Sequence, residues 1–103
     1  MAKVIVSRTV ENKLLYLTEV LYEEEYFGFK EDAQAYVHKI ADFIQSIPAQ
    51  RRKLAKQNNY GTYYCKYEPN RNTAWFITFD LKDEVYLIKN IINNHSKDYA
   101  DFM

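Results

Sequence analysis

The chain has 103 residues, of which 48% are hydrophobic and 27% charged, with only two glycines and two prolines. This composition excludes a disordered chain and predicts a single domain over residues 1–103, long enough to bury a core without disulfides or metals. Cys65 is the only cysteine, so an internal disulfide is excluded as well. No apolar run reaches the roughly 20 residues that span a bilayer. We therefore expect a soluble protein of a reducing, cytoplasmic compartment with no membrane partner.

Charge is distributed unevenly along a chain whose formal net charge is zero. Residues 1–49 hold five Lys or Arg against eight Asp or Glu, whereas residues 50–103 hold nine against six. The basic excess is greatest between residues 50 and 72, where six cations face one carboxylate, Glu68. These cations are Arg51, Arg52, Lys53, Lys56, Lys66 and Arg71. The cluster favours a polyanionic or acidic partner, and a solvated connector is the alternative.

Two helices are predicted in the first half of the chain, after a short β-branched strand at residues 3–7. Apolar residues recur every three or four positions in each helix, which places them on one face. The first stripe is Val10, Leu14, Leu17 and Leu21, and the second is Ala33, Val37, Ile40, Ile44 and Ile47. Pro48 is expected to end the second helix. Two such helices joined by a short loop form an antiparallel pair.

Three strands are predicted in the second half. The first covers residues 60–67, with Cys65 facing the core while Tyr64 and Lys66 face outward. Strands at 74–79 and 85–92 follow, joined by a polar turn from Asp80 to Glu84. The order β-α-α-β-β-β predicts an α+β fold in which a two-helix hairpin packs on one face of an antiparallel sheet. The second face of that sheet is expected to be uncovered.

The sequence lacks the motifs of common catalytic sites. Two isolated glycines cannot form a phosphate-binding loop, and one cysteine with two distant histidines lacks the spacing of a zinc site. The predicted uncovered face and its rim nevertheless carry cations beside His and Tyr, the groups that bind phosphate and transfer protons on RNA. Nucleic-acid or partner binding is predicted for Arg51, Arg52, Lys53, Lys56, Arg71 and Lys89.

The end of the chain carries a resemblance to a known family. From Glu84 to His95 it reads Glu-Val-Tyr-Leu-Ile-Lys-Asn-Ile-Ile-Asn-Asn-His, and Asp98-Tyr99 follows. This segment is similar to the last strand and polar tail of the RelE/ParE toxins of bacterial type II toxin–antitoxin modules. With the element order, the resemblance covers nearly the whole chain. It implies a RelE/ParE-like fold and a translation-linked mRNA endoribonuclease without metal or cofactor.

The resemblance also implies site residues and partners. Lys66 would bind phosphate, and His95 and Tyr99 would transfer protons, so these three are the predicted catalytic residues. The implied partners are an acidic antitoxin and ribosome-bound mRNA or gyrase, in a homodimer or a hetero-oligomer with the antitoxin. Trp75 stands nearest to a position where members often carry Arg, so Arg71 or Lys89 would have to serve instead. A ParE-like gyrase inhibitor and a small interaction module without toxin activity remain the alternatives.

Overall fold

The computed structural model describes residues 2–23, 30–56 and 59–102, which form an α+β fold with a five-stranded mixed sheet and three helices. The strands are β1 (Lys3–Val6), β2 (Lys53–Leu54), β3 (Tyr63–Tyr67), β4 (Trp75–Lys82) and β5 (Val85–Asn93). The helices are α1 (Arg8–Glu23), α2 (Lys30–Gln45) and α3 (Asp98–Phe102). Within these ranges no helix combines the length and the apolar character that a membrane crossing requires.

The helix layer follows the predicted apolar stripes. Val10, Ile40, Ile44 and Ile47 are almost fully buried, and they pack in one core cluster with residues of β3, β4 and β5. The remaining stripe residues Leu14 and Leu17 are partly buried against the same cluster, Ala33 and Val37 are buried, and Leu21 lies outside the described side chains. Helix α2 ends at Gln45, and a 3-10 turn, Ile47–Ala49, follows because Pro48 cannot continue the helix. The predicted packing of both helices on one sheet face is confirmed.

The prediction of an antiparallel sheet is wrong for one strand. The strand order is β1-β5-β4-β3-β2, and β1 runs parallel to β5 while all other pairs are antiparallel. The helix pair carries the chain from β1 to the opposite edge of the sheet, and four antiparallel strands then return it to β1. Strand direction after this crossover is set by the path of the whole chain, so the side chains of β1 alone do not reveal it.

The hairpin between β4 and β5 is tighter than predicted. Its turn consists of Asp83 and Glu84 alone, with φ values of 51° and 65°, and Asp80 belongs to β4. Two residues with positive φ are typical of hairpin turns whose twist matches that of the strands, and Asp tolerates this conformation. The strand continues beyond Asp80 because Leu81 packs against the core under the helices.

A β-bulge changes the orientation of side chains along β5. The pairing shifts between Thr78 and Phe79, so that Phe79 is opposite Ile88 whereas Thr78 is opposite Asn90. Ile88 and Ile91 both face the helix layer as a result, although they are three residues apart. Simple alternation along this strand would have placed Ile91 on the other face.

Side chains close the outer edge of β5 beyond the end of β1. The Ser7 hydroxyl donates to the carbonyl oxygen of Lys89 at 3.3 Å, and Lys13 Nζ donates to that of Ile91 at 3.3 Å. The Asn90 side-chain oxygen accepts from the Ile91 amide at 2.8 Å and from Lys13 Nζ at 2.5 Å. Through these bonds, α1 is attached to the sheet by polar contacts as well as by its apolar stripe.

The second face of the sheet, expected to be uncovered, carries α3 beside the start of β4 and the end of β5. Phe102 is 1% exposed and forms a second core cluster with Ala74, Phe76 and Ile92. Tyr99 on α3 packs against the same cluster. The tail was predicted only as a polar segment because a five-residue helix offers too few positions for a periodic signal.

Candidate functional site

A cationic cleft opens at the edge of β3, next to the end of β2. Because β2 has only two residues, residues 65–67 of β3 extend beyond it. The segment that follows Pro48 runs back along β3, and the Cys65 thiol contacts the carbonyl oxygen of Arg51 at 3.5 Å. The cleft has a volume of about 210 Å³. Its lining consists of Phe43, Gln50, Arg51, Lys53, Tyr64, Cys65 and Lys66.

Three of the predicted binding cations, Arg51, Lys53 and Lys66, therefore share one cleft. All three are exposed, and Lys66 Nζ lies 3.5 Å from the carboxylate of Glu68, itself exposed. An exposed ion pair contributes little, so Glu68 can release Lys66 to a stronger anion at small cost. The arrangement fits a group with several negative oxygens, such as a phosphate.

The other predicted cations lie outside the lining of this cleft. Arg52 turns toward the helix-covered face, where its guanidinium lies 5.2 Å from the centre of the Tyr63 ring. Lys89 Nζ lies 3.5 Å from the Asp80 carboxylate on the second face. Lys56 and Arg71 are exposed and line no part of the cleft. Three of the six cations between residues 50 and 72 thus line the cleft, and the other three lie elsewhere.

Cys65 forms the apolar floor of the cleft. It is 2% exposed, and burial raises the pKa of its thiol to about 11, an effect that the charge of Arg52 offsets only in part. The thiol is therefore neutral near pH 7 and adds no negative charge to the cleft. This position agrees with the core-facing orientation predicted from the alternation of β3.

The predicted catalytic residue His95 lies in the turn that follows β5. Its Nε2 lies 2.8 Å from the carbonyl oxygen of Asn72, and its amide donates to the side-chain oxygen of Asn93 at 2.8 Å. The contact with Asn72 is a hydrogen bond only when Nε2 carries a proton. In the neutral ring with that tautomer, Nδ1 has a lone pair and can accept a proton. The contact with Asn72 holds the ring in place, and the ring is also exposed and therefore accessible to a substrate.

Tyr99 and Lys66 both lie close to the ring of Phe76. The Tyr99 ring centre lies 5.3 Å from that of Phe76, and Lys66 Nζ lies 5.9 Å from the Phe76 centre. Among the described residues, no hydrogen bond or ring contact joins His95 to either side chain. The structure therefore brings two of the three predicted catalytic residues to one place and puts the third beyond the end of the sheet.

Trp75, at the position where an Arg was considered, is a core residue. It is 9% exposed, and its indole Nε1 donates to the Tyr36 hydroxyl at 3.0 Å. Arg71 is the nearest cation in sequence to Asn72, the residue that binds the His95 ring. Lys89 pairs with Asp80, and no contact among the described residues places either cation beside the His95 ring.

Two aromatic residues next to the predicted site were not identified from the sequence. Phe76 lies beside Lys66 in the sheet register, and Phe102 packs on Phe76 with ring centres 5.3 Å apart. The spacing of Tyr99 and Phe102, three residues apart in Asp-Tyr-Ala-Asp-Phe, is a weak signal that could have indicated a helical turn with one aromatic face.

No known protein family, curated protein or solved structure matches this chain. Within the described ranges, no group of three His, Cys, Asp or Glu side chains is arranged to hold a metal ion. Function is therefore inferred from the positions of the chain's own side chains, and above all from the convergence of cations in the cleft.

Proposed function

We propose that the protein is the toxin of a bacterial type II toxin–antitoxin module, with a RelE/ParE-like arrangement, and that it acts as a translation-linked mRNA endoribonuclease. The observation that carries the proposal is the convergence of Arg51, Lys53 and Lys66 on one cleft. The α+β fold with two helices on one face of the sheet is consistent with it. So is the position of His95, which is exposed and fixed by a hydrogen bond.

The cleft would bind the RNA backbone through its phosphates. Arg offers a planar group of N–H donors that matches two phosphate oxygens at once, and Lys adds a compact positive charge. Such contacts hold the strand without reading its sequence. An acidic antitoxin would neutralise the toxin by offering carboxylates to the same cations.

Cleavage would use the 2′-hydroxyl of the RNA as nucleophile. A base removes the proton of this hydroxyl, its oxygen attacks the adjacent phosphorus, and the bond to the 5′-oxygen of the next nucleotide breaks. An acid protonates that leaving oxygen, and the products are a 2′,3′-cyclic phosphate and a free 5′-hydroxyl. His95 Nδ1 and the Tyr99 hydroxyl are the groups proposed for proton transfer, and Lys66 would stabilise the charged phosphoryl oxygens. Since His95 lies apart from the other two in the free protein, RNA binding would have to bring the tail of the chain toward the cleft.

A ParE-like gyrase inhibitor is the second candidate. It is favoured by the presence of Trp75 near the position where an Arg was considered, because an indole carries no positive charge to stabilise a phosphate with developing charge. A protein that only docks on its target would need the cationic cleft but not the proton-transfer groups. The two candidates therefore differ in what His95 contributes.

Induced expression in bacteria tests the proposal and separates the candidates. The wild-type protein is expected to arrest growth and to generate new mRNA 5′ ends. General acid or base assistance contributes about a hundred- to ten-thousand-fold in rate, so His95→Ala should abolish toxicity while the variant remains folded. Arrest without new mRNA ends, or full toxicity of His95→Ala, would support gyrase inhibition instead.

Binding of a labelled single-stranded RNA at several salt concentrations tests the cleft directly. Three phosphate contacts predict a slope of about −2 when the logarithm of the association constant is plotted against that of the salt concentration. Arg51→Ala/Lys53→Ala should weaken binding and flatten this slope. The matched control Arg8→Ala/Lys39→Ala removes the same charge from exposed positions on α1 and α2 and should retain the slope. Equal effects of the two double variants would exclude the cleft as the site.

A further inference from the structure

The second face of the sheet carries cations and aromatic rings side by side. Lys53 is opposite Tyr64, and Lys66 is opposite Phe76, in the register of neighbouring strands. Residues opposite each other on antiparallel strands share a face, so these four side chains form one patch, here called the stacking face. Lys53, Tyr64 and Lys66 also line the cationic cleft, which makes the two surfaces continuous.

Helix α3 occupies the stacking face through two aromatic rings. The Tyr99 ring lies over Phe76 at an interplanar angle of 32°, with the centres 5.3 Å apart. The Phe102 ring meets Tyr64 edge-on, at 86° and 5.2 Å. A five-residue helix is not stable in water on its own, so the attachment of α3 depends on these ring contacts.

The helix also carries negative charge to this face. Asp98 and Asp101 belong to α3, and Tyr60 packs against the cluster that Phe102 of α3 forms with the sheet. Burial first, and then the charges of Asp98 and Asp101, raise the pKa of the Tyr60 phenol. The charges of both carboxylates thus reach Tyr60, a residue of the cluster that α3 covers. Two rings and two anions are also what a short single-stranded nucleic acid presents, as stacked bases and phosphates.

We propose that the stacking face is a base-stacking site for single-stranded RNA and that α3 occupies it in the free protein as an internal mimic of the ligand. The proposal rests on the proposed function, since it assumes that RNA reaches the adjoining cleft. RNA entering the cleft would displace the Tyr99 and Phe102 rings and place bases on Phe76 and Tyr64. Stacking of this kind tolerates any base, whereas Lys53 and Lys66 hold the backbone.

Displacement of α3 would also release Tyr99. In the docked position the Tyr99 ring is packed on Phe76, and movement of α3 would free the ring and its hydroxyl to follow a phosphate in the cleft. RNA binding and exposure of the proton donor would then be one event. The free toxin would be held in a less active state without any partner.

Binding of a fluorescently labelled ten-nucleotide oligouridine, followed by anisotropy, tests the mimic. Phe102→Ala removes the more deeply buried ring of α3, and affinity should rise about ten-fold or more if α3 is docked in at least about 90% of molecules. Adding Tyr64→Leu to this variant should abolish the gain. Tyr16→Ala, which removes an exposed aromatic ring from α1, should leave the affinity unchanged. An unchanged or lower affinity of folded Phe102→Ala would overturn the proposal.

Amide hydrogen exchange of the wild-type protein provides a measurement that needs no variant. Saturating oligouridine should accelerate exchange at residues 99–102, because their helix leaves the sheet. Slower or unchanged exchange there would mean that RNA binds with α3 in place and would overturn the proposal. If wild-type RNA binding depends on Arg51 and Lys53 but neither α3 effect is seen, only the mimic fails. If no variant binds RNA, the proposed function fails with it.

Discussion

Replacing Ile40 by Ala removes three carbon atoms from the centre of the core. Ile40 is 0% exposed and packs in the cluster that joins α2 to β3, β4 and β5. At about 0.8 kcal/mol per buried methylene, the transfer term alone is about 2.4 kcal/mol. The cavity that remains adds to this, so the free energy of unfolding should fall by about 2–5 kcal/mol.

Urea denaturation followed by circular dichroism measures this loss. Leu15→Ala is the matched control, because leucine and isoleucine are isomers and Leu15 is 72% exposed on α1. The control should change the unfolding free energy by no more than about 0.5 kcal/mol. A loss below half a kcal/mol for Ile40→Ala, or equal losses for the two variants, would refute the assignment of Ile40 to the core.

Three further predictions concern single contacts. Although burial acts in the opposite direction, hydrogen bonds from the backbone and hydroxyl of Thr62 and the charge of Lys89 lower the pKa of Asp80. The ionised carboxylate therefore stabilises the fold at pH values above its unfolded pKa of about 3.9, and this stabilisation is lost as the pH falls through the pKa of Asp80 in the folded protein. In acid titrations, Asp80→Asn should therefore lose less stability than the wild-type protein below about pH 5. Gly61→Ala should lower the free energy of unfolding measured in urea by more than about 1 kcal/mol, because φ at Gly61 is 154° and the added Cβ would lie 2.9 Å from a backbone nitrogen of β4. An unchanged free energy of unfolding would contradict this geometry. Cys65, with a thiol pKa of about 11, should react with a disulfide reagent at pH 8 only after denaturation, because about a thousandth of the thiol is ionised and the side chain is buried.

The helix layer could be predicted because its information is local. Val10 in α1 and Ile40 and Ile44 in α2 belong to apolar stripes at helical spacing. A stripe that repeats over four turns is buried only when that face of the helix packs on another element. The inward orientation of Cys65 follows in the same way from alternation along β3. In both cases, the position of a side chain depends only on neighbours in sequence.

The sheet details depended on how the strands pair. The parallel pairing of β1 with β5 joins segments from opposite ends of the chain. The bulge beside Phe79 and the pairing of Lys53 with β3 lie between strands that are close in sequence, but they are set by the register of two strands, which the residue pattern of one strand does not show. The convergence of three cations in one cleft has the same origin, since Lys66 reaches Arg51 and Lys53 only through that pairing. Sequence alone therefore indicated the basic cluster as a whole, but it did not indicate that Arg51, Lys53 and Lys66 would line one cleft.

The side chains that close the outer edge of β5 have a consequence for how the protein behaves at high concentration. The segment from Val85 to Ile92 is rich in β-branched and aromatic residues, the type of segment that adds strands from other molecules when its backbone is free. Lys13 and Asn90 bind the carbonyl and the amide of Ile91, so that this part of the edge offers no template to a second chain. The same lysine that anchors α1 thus protects part of this strand, and its contribution persists only while the helix remains in place.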